Sequence, residues 1–191
     1  MDDAFQHALA VVLENEGGLQ DDANDPGGTT NHGISLRFLR EIPPERLRKY
    51  GFFTIGDALN AHDIQELTRA QVEMIYRGEF WVPGNFDKLT ELQWPALTSY
   101  VFDMAVQHGT AQAIKIVQRA IWAYYLHRNY ADVFDDGIFG DKTIAQLHLV
   151  KAHDFLTLMA AERAGFCRLV VALNPKEKEF LDGWIDRCYR I

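Results

Sequence analysis

A mainly α fold with one small β hairpin is predicted for this chain on three observations. Apolar residues recur at helical spacing through most of its length. Prolines, glycines and capping residues divide that pattern into helix-sized pieces. One turn-rich segment, residues 19–34, carries short extended stretches in place of helical periodicity.

The first helix runs from Asp2 to Asn15, with Phe5, Ala8, Leu9, Val12 and Leu13 on one stripe. At about 100° per residue, Glu16 falls on that stripe near the direction of Phe5 and Val12, while Glu14 points elsewhere. Gly17 and Gly18 stop the helix. Desolvation and the negative end of the helix dipole both act against the charged form of a carboxylate so placed. That is the direction a general acid needs near neutral pH. A glutamate at a frayed helix end, facing water, has the same periodicity.

Residues 19–35 follow, dense in Asp, Asn, Gly and Thr. A calcium loop counted from Asp22 fails, because Pro26 takes a ligand position and Gly33 stands where the closing Glu belongs. Extended pieces around Leu19 and from Thr30 to Ile34 are expected to pair as a hairpin at the mouth of a cleft. Ser35 caps a helix carrying Leu36 and Leu39, which Pro43-Pro44 breaks, and residues 45–63 hold short elements.

Thr68 and Gln71 form a capping box for a helix through Val72, Ile75, Tyr76 and Phe80. It ends at Trp81-Val82-Pro83-Gly84, where Trp81 reads either as a sugar-stacking platform or as a core residue. Pro95 starts the next helix, with Leu97, Val101, Met104, Ala105 and His108 on its apolar side and Gly109 as its stop. Asp103 and Gln107 share another face of it, which is either cleft-lining or solvated. His108 reads as a core histidine. Further helices are expected from Thr110 to Tyr125, after the tight loop Asp135–Thr143, over 152–173 and over 176–189, giving eight to ten in all.

With 191 residues and 48% hydrophobic content, the chain suffices for one domain, 1–191, with a catalytic part over 1–110 and a helical part over 111–191. A net charge of −8 without a Lys/Arg block argues against nucleic acid as a partner. The acidic start and the lack of a long apolar run argue against a signal peptide and against stable membrane insertion. Cys167 and Cys188 are too few for a disulfide framework and read as reduced helix residues, with a single bridge left open. Scattered histidines give no metal-ligand cluster, and no cofactor is expected.

Asp25 lies nine residues beyond Glu16, Thr30 fourteen and Asn31 fifteen. A helix-end Glu, a loop Asp and a hydroxyl residue on a returning strand is how phage-type lysozymes are laid out, and glycoside hydrolysis needs such a pair of groups across a cleft. The motif Glu16-Gly17-Gly18 with Asp25-Pro26-Gly27-Gly28-x-Thr30-Asn31-x-Gly33-Ile34 resembles the signature of the family 108 glycoside hydrolases. These are N-acetylmuramidases of the phage endolysin and secretion-activator type. Phe80-Trp81, the helix Phe102–Gly109, the run Val117-Gln118-Arg119-Ala120 with Asp136–Thr143, and the tail from Asn174-Pro175 to Trp184 are similar to later motifs of that family.

The resemblance implies a lysozyme-like helical fold with its hairpin beside the active-site cleft, and a peptidoglycan-binding-like region in the second part. It implies Glu16 as the catalytic acid, with Asp25 and Thr30 as catalytic loop residues. Asn31, His32, Trp81, Asp103 and Gln107 become candidate substrate contacts. Gln107 stands where the family usually has Asn, and His32 where it usually has an aromatic residue. The expected reaction is cleavage of the β-1,4 bond between N-acetylmuramic acid and N-acetylglucosamine, with inversion. A non-enzymatic peptidoglycan-binding or secretion-assisting protein is the alternative. The expected partner is the peptidoglycan glycan strand. The protein is expected to be made in the cytoplasm and to reach the wall through a holin or an export system. On this reading Glu16→Gln abolishes lysis and leaves the melting temperature unchanged or raised.

Overall fold

The computed structural model describes residues 2–16, 29–126 and 133–190. Helix α1 (Asp2–Glu16) is followed by a hairpin of β1 (Thr30–Asn31) and β2 (Ile34–Ser35), antiparallel, with Thr30 opposite Ser35 and Asn31 opposite Ile34. His32 (φ 51°) and Gly33 (φ 74°) make the two-residue turn. Left-handed φ at both central positions is what a type I′ hairpin requires. The hairpin expected at residues 19–34 therefore occupies 30–35, and the piece around Leu19 lies outside the described residues.

Short helices come next: α2 (Leu36–Glu41), α3 (Pro44–Lys49), a 3₁₀ turn at Gly56–Ala58, and α4 (Ala61–Gln65). Ser35 caps α2 by accepting from the Phe38 amide, and Pro44 opens α3. Helix α5 (Arg69–Tyr76) carries the expected capping box, with Thr68 and Gln71 bonded reciprocally. The helix does not continue unbroken to Phe80. Beyond Tyr76 it widens into a π turn, Arg77–Trp81, which rotates the residues that follow.

After α6 (Asp87–Thr90) the chain enters α7 (Pro95–His108), begun by Pro95 and stopped by Gly109 at φ 85°. Every residue of α7 from Leu97 to Ala105 is buried. It is the central post of the fold: α1 packs on one side through Phe5, Ala8, Leu9 and Val12, and α8 (Thr110–Tyr125) packs on another. Helix α9 (Asp141–Leu147) leads to α10 (Ala152–Leu173), which lies on α8. The last segment, expected as one helix, is a 3₁₀ stretch at Pro175–Phe180 and then α11 (Leu181–Cys188), packed on α10.

Eleven α-helices are thus present among the described residues, more than the eight to ten expected, because 36–65 divides into several short ones. Among the described residues no helix is long and apolar enough to cross a membrane.

Two polar side chains define loops rather than sites. Gln118, 1% exposed, donates to Asp136 Oδ1 (2.8 Å) and the Ile138 carbonyl (3.1 Å), and accepts from the Gly137 amide (3.0 Å). The Asp135–Thr143 loop is folded around that one buried amide, so it has the character of a structural turn. Asn31 does the same for the hairpin, as described below.

Candidate active site

Glu16 is the last residue of α1, and two distant parts of the chain close on its carboxylate. On one side, Arg187 of α11 donates from Nη2 to Oε1 at 2.6 Å. On the other, the Gly33 turn comes so close that a Cβ at position 33 would stand 2.8 Å from Glu16 Cγ and 2.9 Å from Oε2. The same Cβ would meet the Tyr76 hydroxyl at 2.7 Å. Gly33 is therefore needed twice, for its left-handed φ and for its missing side chain. Gly33→Ala should cost about 1–3 kcal/mol and displace the carboxylate. A thermal melt together with a glycan-cleavage assay checks this, and a variant equal to wild type in both would contradict the close approach.

Tyr76, at the end of α5, fixes the turn by donating to the His32 carbonyl at 2.8 Å. Burial, and after it the negative charge of Glu16, push the Tyr76 phenol well above its ordinary value, so it stays a neutral donor.

Arg187 does not hold Glu16 alone. Its Nη2 also donates to Asp103 Oδ1 at 2.7 Å, and its Nε lies 3.2 Å from both Asp103 oxygens. Arg163 of α10, with no exposed surface, donates to Asp103 Oδ2 at 2.7 Å and to Gln107 Oε1 at 2.6 Å. Asn15 donates to Asp103 Oδ1 at 3.1 Å. Two carboxylates and two guanidiniums from α1, α7, α10 and α11 thus form one charge-balanced network. Burial works against the charged form of Asp103, but the hydrogen bonds from Arg187 and the charge of Arg163 outweigh it and hold its carboxyl below the usual range.

The network bears on chemistry at Glu16. A general acid must be able to carry a proton, and an arginine bound to it would then lose its counter-charge. Arg187 keeps Asp103 as a second carboxylate, so its charge remains balanced when Glu16 is neutral. The sequence expectation of a carboxylate facing only apolar surroundings is corrected here: Glu16 has a charged partner.

Beside Glu16, across Gly33 and Tyr76, lies a cavity of about 200 Å³ lined by Gly33, Ile34, Phe38, Tyr76, Phe80 and Val106. Phe38 and Phe80 stack at 5.5 Å, offering an aromatic wall at the mouth of the hairpin. A larger cavity, about 380 Å³, is lined by Asp3, His7, Trp94 and neighbouring residues and shares no lining residue with the first.

Several candidates move under this geometry. Trp81 has no exposed surface: its ring packs edge-on against Phe5, Phe86 and Phe102, and its Nε1 donates to Asp87. It is a core residue and not a sugar platform, and Phe80 reaches the cavity instead. Asp103, 3% exposed, spends its oxygens on Arg163, Arg187 and Asn15, so the expectation of a substrate contact is replaced by an internal anchor. Gln107 joins it there through Arg163. Asn31 is buried, and its amide donates to the Ile64 and Gln65 carbonyls at 3.1 and 3.4 Å, stapling the hairpin to the end of α4. Its amide nitrogen is committed inside the fold. His32 contributes its carbonyl to Tyr76. Thr30 lies at the start of β1, in the hairpin whose turn abuts Glu16. Asp25 lies outside the described residues.

A family model for glycosyl hydrolase 108 matches residues 9–109, just over half of the chain. The chain belongs to glycoside hydrolase family 108. A second model, described as a predicted peptidoglycan domain, matches residues 112–189. Among solved structures, that of Brucella abortus SagA is similar over 100% of this chain and 92% of its own, with a TM-score of 0.69 and 25% identity. No curated protein matches the sequence. This family 108 chain is accordingly a glycosidase of lysozyme-like fold with a peptidoglycan-related function.

The two matched regions meet at Glu16. Glu16, Gly33, Tyr76 and Asp103 fall in the first, and Arg163 and Arg187 in the second. Sequence reasoning missed Arg163 and Arg187 altogether. Their only signal was a pair of arginines in the apolar context of two late helices, where charged residues are rarely buried without partners.

Proposed function

We propose that the chain cleaves the β-1,4 bond between N-acetylmuramic acid and N-acetylglucosamine in peptidoglycan, with Glu16 as the general acid. Glu16 protonates the glycosidic oxygen, and a second group activates or orients water on the opposite sugar face, which leads to inversion. Asp25, assisted by Thr30, takes that second role, or stabilises positive charge on the sugar. The observation that carries the reading is the position of Glu16: clamped between Arg187 and the Gly33 turn, beside an aromatic cavity of sugar-ring size. Phe38 and Phe80 are the proposed sugar wall, and the region 112–189 is proposed to help seat the glycan strand. Because the wall lies outside the membrane, action there requires passage through a holin or an export system.

The test is digestion of purified peptidoglycan by wild type and Glu16→Gln, with products reduced by borohydride and read by mass spectrometry. Muramitol-ended fragments from wild type alone are the expected result. Glucosaminitol ends would keep the glycosidase and move the cut to the other bond. No products from either protein would overturn the enzyme reading in favour of wall binding without cleavage.

A further inference from the structure

Cys167 of α10 and Cys188 of α11 are free thiols, both buried, and their sulfurs lie 3.8 Å apart. They have no place in the proposed hydrolysis. Together with Ala164, Leu181, Trp184 and Ile185 they make a small apolar cluster separate from the main core, and this cluster is what seats α11 on α10. Tyr100 of α7 donates to the Cys188 carbonyl at 2.5 Å. The neighbouring residue, Arg187, is the one that reaches Glu16.

We propose that Cys167 and Cys188 are an oxidative modification site, taking a small-molecule disulfide of the glutathione type, and that their bridge locks the helix carrying Arg187 onto the catalytic core. Three observations support it. The sulfurs are already in van der Waals contact, so a bond of about 2.05 Å asks for roughly 1.8 Å of approach. The chain between them is one local hairpin: the end of α10, the 3₁₀ stretch and α11 up to its last residue. Cys167 is also the more acidic partner. Contact with the Cys188 sulfur and with His108 Nε2, 3.9 Å away, pulls it below the ordinary thiol value, while Cys188 is raised.

The chemistry balances as an exchange. The Cys167 thiolate attacks one sulfur of the oxidant, breaking its S–S bond, forming a mixed disulfide and expelling one thiolate. The Cys188 thiol gives up its proton and attacks the Cys167 sulfur, forming the protein disulfide and expelling the second thiolate. The two protons released from the protein thiols end on the two small thiols. One disulfide is reduced and two cysteines are oxidised. Both sulfurs are buried, so the first attack requires α11 to lift from α10. His108, on α7, stays beside Cys167 when it does. The oxidation rate therefore reads the opening of α11.

The full chain is incubated with oxidised glutathione, then analysed by intact mass, non-reducing peptide mapping and thermal melting. The expected product is lighter by two hydrogens, carries the Cys167–Cys188 cross-link, and melts roughly 6–12 °C above the reduced protein. Arg187→Ala, which frees α11 from Glu16 and Asp103, should oxidise several-fold faster. Cys188→Ser should stop at the mixed disulfide on Cys167. A wild type that ends as a glutathione adduct, does not react, or melts lower when bridged would overturn the proposal. These readouts need no glycan cleavage. Only the effect of the lock on catalysis rests on the muramidase reading, and a failure of that reading leaves the thiol result intact.

Discussion

Glu16→Gln is expected to lower the release of muramitol-ended fragments by roughly 10²–10⁴-fold, the range that a positioned general acid supplies. The change is close to isosteric, and the amide oxygen still accepts from Arg187, so substrate binding should survive. The stability effect differs from what the sequence alone suggests. A carboxylate alone against an apolar face would leave the protein more stable when neutralised. With Arg187 at 2.6 Å, neutralisation removes a partner instead. Arg187 retains Asp103, so no buried charge is orphaned, and the loss should be about 1 kcal/mol or less. A melting temperature a few degrees below wild type, with activity gone, is the paired outcome. Wild-type activity in this variant would remove Glu16 from the mechanism.

Asp103→Ala should have the largest stability effect. Asp103 is the only carboxylate described as paired with Arg163, which has no exposed surface. Removing one partner of a buried pair typically costs about 3–5 kcal/mol, because the other charge is left in a low-dielectric setting. In a chain of this size that is roughly 6–20 °C of melting temperature. Activity should fall as well, since Arg187 then loses the anchor that aims it at Glu16. Replacing Arg163 with Met in the Asp103→Ala background should recover part of the stability but not the activity, separating the buried-charge penalty from the positioning of Arg187.

The same residue sets an acid limit. The Asp103 carboxyl is held below its ordinary value in the folded protein, so its ionised form contributes stability that is fully present above the unfolded value of about 3.9 and is lost as pH falls through the folded value. The wild type should therefore destabilise steeply below about pH 4, and Asp103→Asn should flatten that limb. Urea midpoints measured across pH 2–6 would show it. Parallel curves for the two proteins would contradict the assignment.

Much of the scaffold was legible because its determinants are local. Ser35, the Thr68–Gln71 box, Pro95 and Gly109 each act on backbone groups within one turn, and each works as read. The place of Glu16 at the end of α1 was legible from the stripe on that helix. The errors have a common physical origin in tertiary context. Trp81 is the last residue of a π turn and is buried there, and no periodicity of 3.6 residues can reveal such a widening. Asp103 and Gln107 formed a polar face that local reasoning sent to solvent or cleft, because the arginines that bury it come from 60 and 84 positions away. Asn31 was a candidate substrate contact, but its amide serves two backbone carbonyls more than thirty positions on. Side chains whose partners lie on other elements are legible only once the elements are assembled.

The bond between Glu16 and Arg187 spans 171 positions of sequence. During synthesis, helix α1 leaves the ribosome about 171 residues ahead of Arg187. Through that interval Glu16 has no clamp, however well the first half has folded. A ribosome that stalls, or a protease that cuts ahead of α11, leaves the proposed acid without its arginine partner. The setting of Glu16 is complete only when the far side of this contact has been made.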